Sequence, residues 1–157
     1  MSSAPVRIRP ARRTAVPTAY VGALLRLAHH RVRRQLIDDL RDAGFADLQE
    51  AHFPVFQHPG PDGLRPSELA ARMHASRQAA NYLISQLETL GYIERRPGEA
   101  GDRRRVHLTA RGRDALATLH RAARRLQAQW AREVGAEKFD VFLEVLRMLS
   151  AHTAAID

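Results

Sequence analysis

The stretch from Arg65 to Gly112 constrains this chain more than any other part of it. A short helical pattern, RPSELAARMH, leads through a tight turn into a longer one, SRQAANYLISQLETLGY, and then into an arginine-rich hairpin, IERRPGEAGDRRRVHLT. Pro66 suits a first helical turn, and Leu69, Ala70 and Met73 give that helix a buried stripe. Ser76 is placed as the N-cap of the second helix, in which Ala80, Leu83, Ile84, Leu87 and Leu90 hold an apolar face until Gly91 ends it. Two short strands, Tyr92–Arg96 and Arg103–Leu108, flank the PGEAG turn. Helix, turn, helix and hairpin in this order predict a winged helix-turn-helix, a mainly α fold with a small β-hairpin wing.

The flanks are helical. Leu24, Ala28, Val32, Leu36 and Leu40 recur every four residues and mark one face of a helix from about Thr18, closed by Gly44. Asp47 is a natural N-cap for a helix from Leu48 to about Gln57, kinked at Pro54. After the wing, Thr109 caps a long helix whose face runs Leu116, Leu119, Ala123, Leu126, Trp130 and Val134 until Gly135 breaks it. A last helix carries Phe139, Phe142, Leu143, Leu146, Leu149 and Ile156. The terminal helices hold more apolar surface than one small winged-helix core needs, which predicts a symmetric homodimer, with Trp130 in its packing. The expected division is a disordered basic tail over 1–17, an N-terminal dimerisation helix over 18–46, the winged helix-turn-helix over 47–112 and C-terminal dimerisation helices over 113–157.

A recognition helix buries one side and offers the other to the major groove. With the apolar stripe fixed, the outward residues are Arg77, Gln78, Asn81, Tyr82 and Ser85. Gln78 and Asn81 pair donor with acceptor as adenine edges require, Arg77 suits guanine or phosphate, and Ser76 at the helix N-terminus suits a phosphate oxygen. In the wing, Asp102 and Arg104 stand two apart on a strand and so share a side, where the carboxylate can steady a guanidinium entering a narrow minor groove. Arg103 and Arg105 point the other way, toward flanking phosphates, and Arg95 and Arg96 reinforce the base of the wing. Ordinary solvated polar residues are the bland alternative. Against it, Arg65 to Arg113 holds ten arginines and five acids, an imbalance that a polyanion explains.

The segment ELAARMHASRQAANYLISQLETLGYIERR, followed by GDRR and LTARG, resembles the MarR family of bacterial winged-helix transcription regulators. The resemblance implies a homodimer that binds a palindromic operator on double-stranded DNA, usually as a repressor. It implies Arg104 as the wing arginine and Asp102 as its partner, and a small, often aromatic or phenolic, effector that releases DNA. From Asp102 to Thr109 the wing is about two residues shorter than the usual pattern, which leaves open which wing arginine enters the groove. For the effector pocket, Tyr20, His29, Phe53 and Phe56 lie on suitable elements, though each also suits an ordinary core.

Other functions find little support. There is no glycine-rich phosphate loop, nucleophile elbow or apolar carboxylate pair, so an enzyme is not expected. Cysteine is absent and the eight histidines form no helical His-x-x-x-His pair, so neither a metal nor any other cofactor is implied. No apolar run approaches a membrane span, and a cytoplasmic bacterial protein is expected. Of the 25 basic residues only Lys138 is lysine, a bias that suits forked contacts to phosphate and guanine but also follows from GC-rich coding. The alternative of another class is a winged-helix protein-interaction module without specific DNA readout.

Overall fold

The four-residue apolar spacing after Tyr20 forms α1, Val21–Asp42, whose C-terminal half alone is buried through Leu36 and Leu40. The structure, a computed structural model, describes residues 20–56, 63–97 and 104–151, so the expected basic tail over 1–17 and the loop after Phe56 lie outside it. A 3-10 turn, Glu50–His52, runs into the four-residue α2, Phe53–Phe56. The helix-turn-helix follows as α3, Pro66–Arg72, and α4, Arg77–Thr89. The wing is β1, Ile93–Arg96, antiparallel to β2, Arg105–Leu108, with Ile93 opposite Leu108 and Arg96 opposite Arg105. Two long helices close the chain: α5, Ala110–Val134, and α6, Ala136–Ala151.

Local chemistry places most of these boundaries. The Ser76 hydroxyl accepts from the Ala79 amide at 3.1 Å and opens α4. Gly91, at φ +77°, closes α4 by donating to the Glu88 carbonyl while Tyr92 donates back to Leu87. The turn between α3 and α4 closes the same way, but with His74 at φ +49°, where L side chains rarely sit. The strands are shorter than expected: Tyr92 belongs to the turn, and Arg104 precedes β2. Leu64 exchanges backbone hydrogen bonds with Val106 at 2.8 and 3.2 Å, tying the approach to α3 onto the wing.

Asp47 does not cap a helix. Its carboxylate instead receives the Tyr92 hydroxyl at 2.5 Å and the Arg111 guanidinium at 2.8 Å, while Arg111 also donates to the Leu90 carbonyl and lies 4.3 Å from the Tyr92 ring centroid. Gln49 takes the position before the 3-10 turn, its amide donating to His52 Nδ1. Tyr92 is fully buried, with the Phe56 ring edge-on at 5.8 Å and Phe45 tilted at 6.2 Å. Burial, then the Asp47 hydrogen bond and charge, push the Tyr92 hydroxyl up to about 12. Burial opposes ionisation of Asp47, yet the Tyr92 hydroxyl, its own backbone amide and Arg111 together hold its carboxyl below the usual value.

The long helix begins on the same node. Thr109 donates its hydroxyl to the Gly91 carbonyl at 2.7 Å, accepts from the Gly112 amide at 3.1 Å, and donates its own amide to the Tyr92 carbonyl. A Cβ on Gly112 would stand 2.0 Å from that carbonyl oxygen, so only glycine permits this approach. Along α5 the buried stripe is Gly112, Ala115, Thr118, Leu119, Ala122 and Leu126. It is rotated from the expected face, since small alanines let α1 pack closely while Leu116 and Ala123 are only partly buried. Ion pairs Arg31–Glu133 and Arg125–Asp39, both at 3.0 Å, show that α1 and α5 run antiparallel. In α6 only Phe139 is buried; Ile156 lies outside the described residues.

Tyr92→Phe should lower stability by about 1–2 kcal/mol at pH 7, read as the urea midpoint, because it removes a buried hydrogen bond to a charged group. A raised tyrosine contributes stability that is fully present below pH 10 and is lost as pH rises through about 12. The gap between wild type and Tyr92→Phe should therefore close across that interval. The lowered Asp47 works in the opposite sense, its contribution disappearing only as pH falls below the ordinary carboxylate value.

Candidate nucleic-acid interface

Helix α4 buries Ala80, Ile84 and Leu87 and leaves Ser76, Arg77, Gln78, Asn81, Tyr82 and Ser85 exposed on its other side. Arg77 and Asn81, one turn apart, border an open cleft of about 320 Å³. Its other walls are Arg104, at the entrance to β2, and Arg65, Pro66 and Ser67, at the start of α3. Three guanidinium groups from three separate segments thus surround one space, with an amide able to donate and accept. Such a set suits a phosphate oxygen with a base edge beside it. Arg65 and Ser67 join this cleft unannounced; only the position of Arg65 just before a helix-opening proline hinted at it.

The other expected contacts divide. Tyr82 is 64% exposed and accepts a hydrogen bond from Gln86 Nε2 at 3.0 Å. The Ser85 hydroxyl accepts from Arg95 at 3.3 Å, and Arg95 also pairs with Glu88 at 3.2 Å. Both groups therefore serve to bind the wing root to α4, and Arg95 is half-buried rather than projecting. Arg96 pairs with Glu94 on the same strand face. Arg105 was expected to face phosphates, but it is half-buried and donates to the Gly63 carbonyl at 3.3 Å. Asp102 and Arg103 lie outside the described residues. Arg104 stands just before β2, and its expected partner Asp102 is outside the described residues.

The effector candidates do not converge on a pocket. Phe53 and Phe56, at 2% and 3% exposure, are core residues, because the short α2 turns both rings inward. Tyr20 is 87% exposed before α1, and His29 is exposed and accepts from Arg33. Among the described residues no three His, Asp or Glu are placed to hold a metal ion, and no helix is long and apolar enough to cross a membrane.

The chain's residues 57–105 match the model of the MarR family. A Mycobacterium tuberculosis MarR-family protein, solved in complex with DNA, is 26% identical over 83% of this chain and 98% of its own, with a TM-score of 0.64. The chain is similar to proteins of the MarR family in this segment and in its fold. The same mycobacterial protein with p-aminosalicylic acid is also similar, at 26% identity, 84% and 99% coverage and a TM-score of 0.62. The oxidised form of MarR from Escherichia coli, at 20% identity, shares the fold over 83% of this chain and 94% of its own, with a TM-score of 0.67. No curated protein sequence matches. The two-stranded wing on a helical frame is the fold that the chain shares with these structures.

Arg77→Ala and Arg104→Ala should each weaken DNA binding while leaving the unfolding free energy from urea titration within about 0.5 kcal/mol of wild type, as expected for exposed residues. If both contact phosphates, each loss should lower the slope of log affinity against log salt by about 0.9. An Arg104 variant whose loss is confined to A·T-flanked sites would mark a minor-groove contact instead.

Proposed function

We propose that this chain is a transcription regulator of the MarR family, a homodimeric repressor that binds a palindromic operator and is released by a small aromatic or phenolic ligand. The observation that carries the DNA-reading part is the cleft in which Arg65, Arg77, Asn81 and Arg104 converge from α3, α4 and the wing. The exposed end of α4, capped by Ser76, presents its dipole and its polar residues beside that cleft.

Dimerisation is supported by the two ends of the chain. On α1, Val21, Leu24 and Leu27 are 70%, 54% and 57% exposed; on α6, Val141, Val145 and Leu149 are 59%, 47% and 60% exposed. Where these helices meet α5, a cavity of about 540 Å³ is walled by Leu27, Trp130, Val134, Phe139 and Phe142, with Arg31 5.5 Å from the Trp130 ring centroid. The Trp130 Nε1 is buried there with no acceptor among the described residues. Apolar faces this extensive are costly in water, and one two-fold axis would cover both sets at once. In this reading residues 18–46 and 113–157 form the dimer and 47–112 the DNA-binding unit. The ligand part rests on the mycobacterial relative bound to salicylic and p-aminosalicylic acids.

In sedimentation the wild type should run as a dimer. Leu24→Glu combined with Val145→Glu should give a folded monomer that no longer protects two half-sites. Selection of bound fragments from the native genome should return a palindrome with half-site centres about 10 base pairs apart, and titrating salicylate into the complex should release it. If no fragment is preferred, the protein-interaction reading replaces this one.

A further inference from the structure

One buried polar residue plays no part in the cleft. His52, at 2% exposure, sits in the 3-10 turn with Nδ1 accepting from the Gln49 backbone amide at 3.1 Å. A backbone N–H can only donate, so Nδ1 carries no proton and the neutral ring holds its hydrogen on Nε2. That nitrogen faces Gln86 Oε1 at 3.4 Å, a long hydrogen bond with its direction already fixed. With its carbonyl toward His52, Gln86 turns its amide toward Tyr82 and donates to the hydroxyl oxygen at 3.0 Å. Reversing the amide would set its NH2 against the His52 N–H. The order of donors is therefore consistent in one direction only.

The last member of this chain is the exposed Tyr82 on the proposed DNA face. Its oxygen is already accepting, and among the described residues its own proton has no acceptor. We propose that His52 and Gln86 are positioning residues for specificity, which make Tyr82 a hydrogen-bond donor toward DNA. Tyr82 then favours acceptors: a phosphate oxygen, a purine N7, guanine O6 or thymine O4. It disfavours the amino groups of cytosine and adenine. The inference rests on the DNA-reading role of α4, and it goes further by assigning the polarity of one contact from a residue that never touches the nucleic acid.

The test is a double-mutant cycle on DNA selected by the wild-type protein. Tyr82→Phe should weaken binding roughly tenfold, the scale of one hydrogen bond to a phosphate or base. In Gln86→Glu the carboxylate accepts from both His52 and Tyr82, which turns the tyrosine proton inward, and a comparable loss is expected. Because the new charge also repels DNA, the decisive quantity is the coupling: Gln86→Glu should cost several-fold more with Tyr82 present than in the Tyr82→Phe background. Gln86→Met, which keeps the length of the side chain without directing the hydroxyl, should cost less than Gln86→Glu. Urea midpoints identify any variant whose loss comes from unfolding. Additive losses in folded proteins overturn the proposal, whereas absence of any preferred DNA for the wild type would instead overturn the DNA-reading role.

Discussion

The meeting of the buried Tyr92 with Asp47 and Arg111 is the constraint on which the other elements depend. Tyr92 ends the turn after α4, Asp47 precedes the 3-10 turn and Arg111 lies in the first turn of α5, so three distant segments close on one hydroxyl and one carboxylate. Backbone groups of the same tyrosine receive the start of α5 and complete the closure of α4. Partial burial makes an unpaired carboxylate or hydroxyl expensive, so each member holds the other two in place. Helix α4, the wing and α5 thereby share an origin.

Local signals in the sequence carry much of this architecture. Ser76 and Thr109 cap their helices, Gly91 closes α4, and the Leu-Thr-x-x-Gly motif beginning at Leu108 is explained by one hydroxyl and one missing Cβ. The misreadings concern choices that distant residues make. Asp47 has the composition of a cap, but its partners lie 45 and 64 residues away. Phe53 and Phe56 sit on a helix of four residues, too short for periodicity to indicate which side is buried. In the candidate site, Arg77 and Asn81 were legible from the face of α4, whereas Arg65 and Ser67 reach the cleft only through the packing of α3. The Tyr82–Gln86 bond follows helical spacing, but the histidine that orients it is 34 residues from Gln86.

Charge in the wing region serves two purposes. Arg95, Arg105 and Arg111 bond to Ser85 and Glu88, to the Gly63 carbonyl, and to Asp47 and the Leu90 carbonyl. These arginines join segments, and a count of positive residues overstates how many face a polyanion. Exposed pairs such as Arg96–Glu94 add little stability, but they lower the local positive field that α4 and the wing present.

The missing side chain at Gly112 has a mechanical consequence. Because α5 starts directly on the Tyr92 carbonyl, the helix is anchored where α4 ends and the wing begins. Its 25 residues extend about 37 Å from that anchor to the apolar junction with α6. A tilt of about 5° at the anchored end would move the far end by about 3 Å over that length. For a straight helix of this length, a small rotation at one end corresponds to a side-chain-sized displacement at the other.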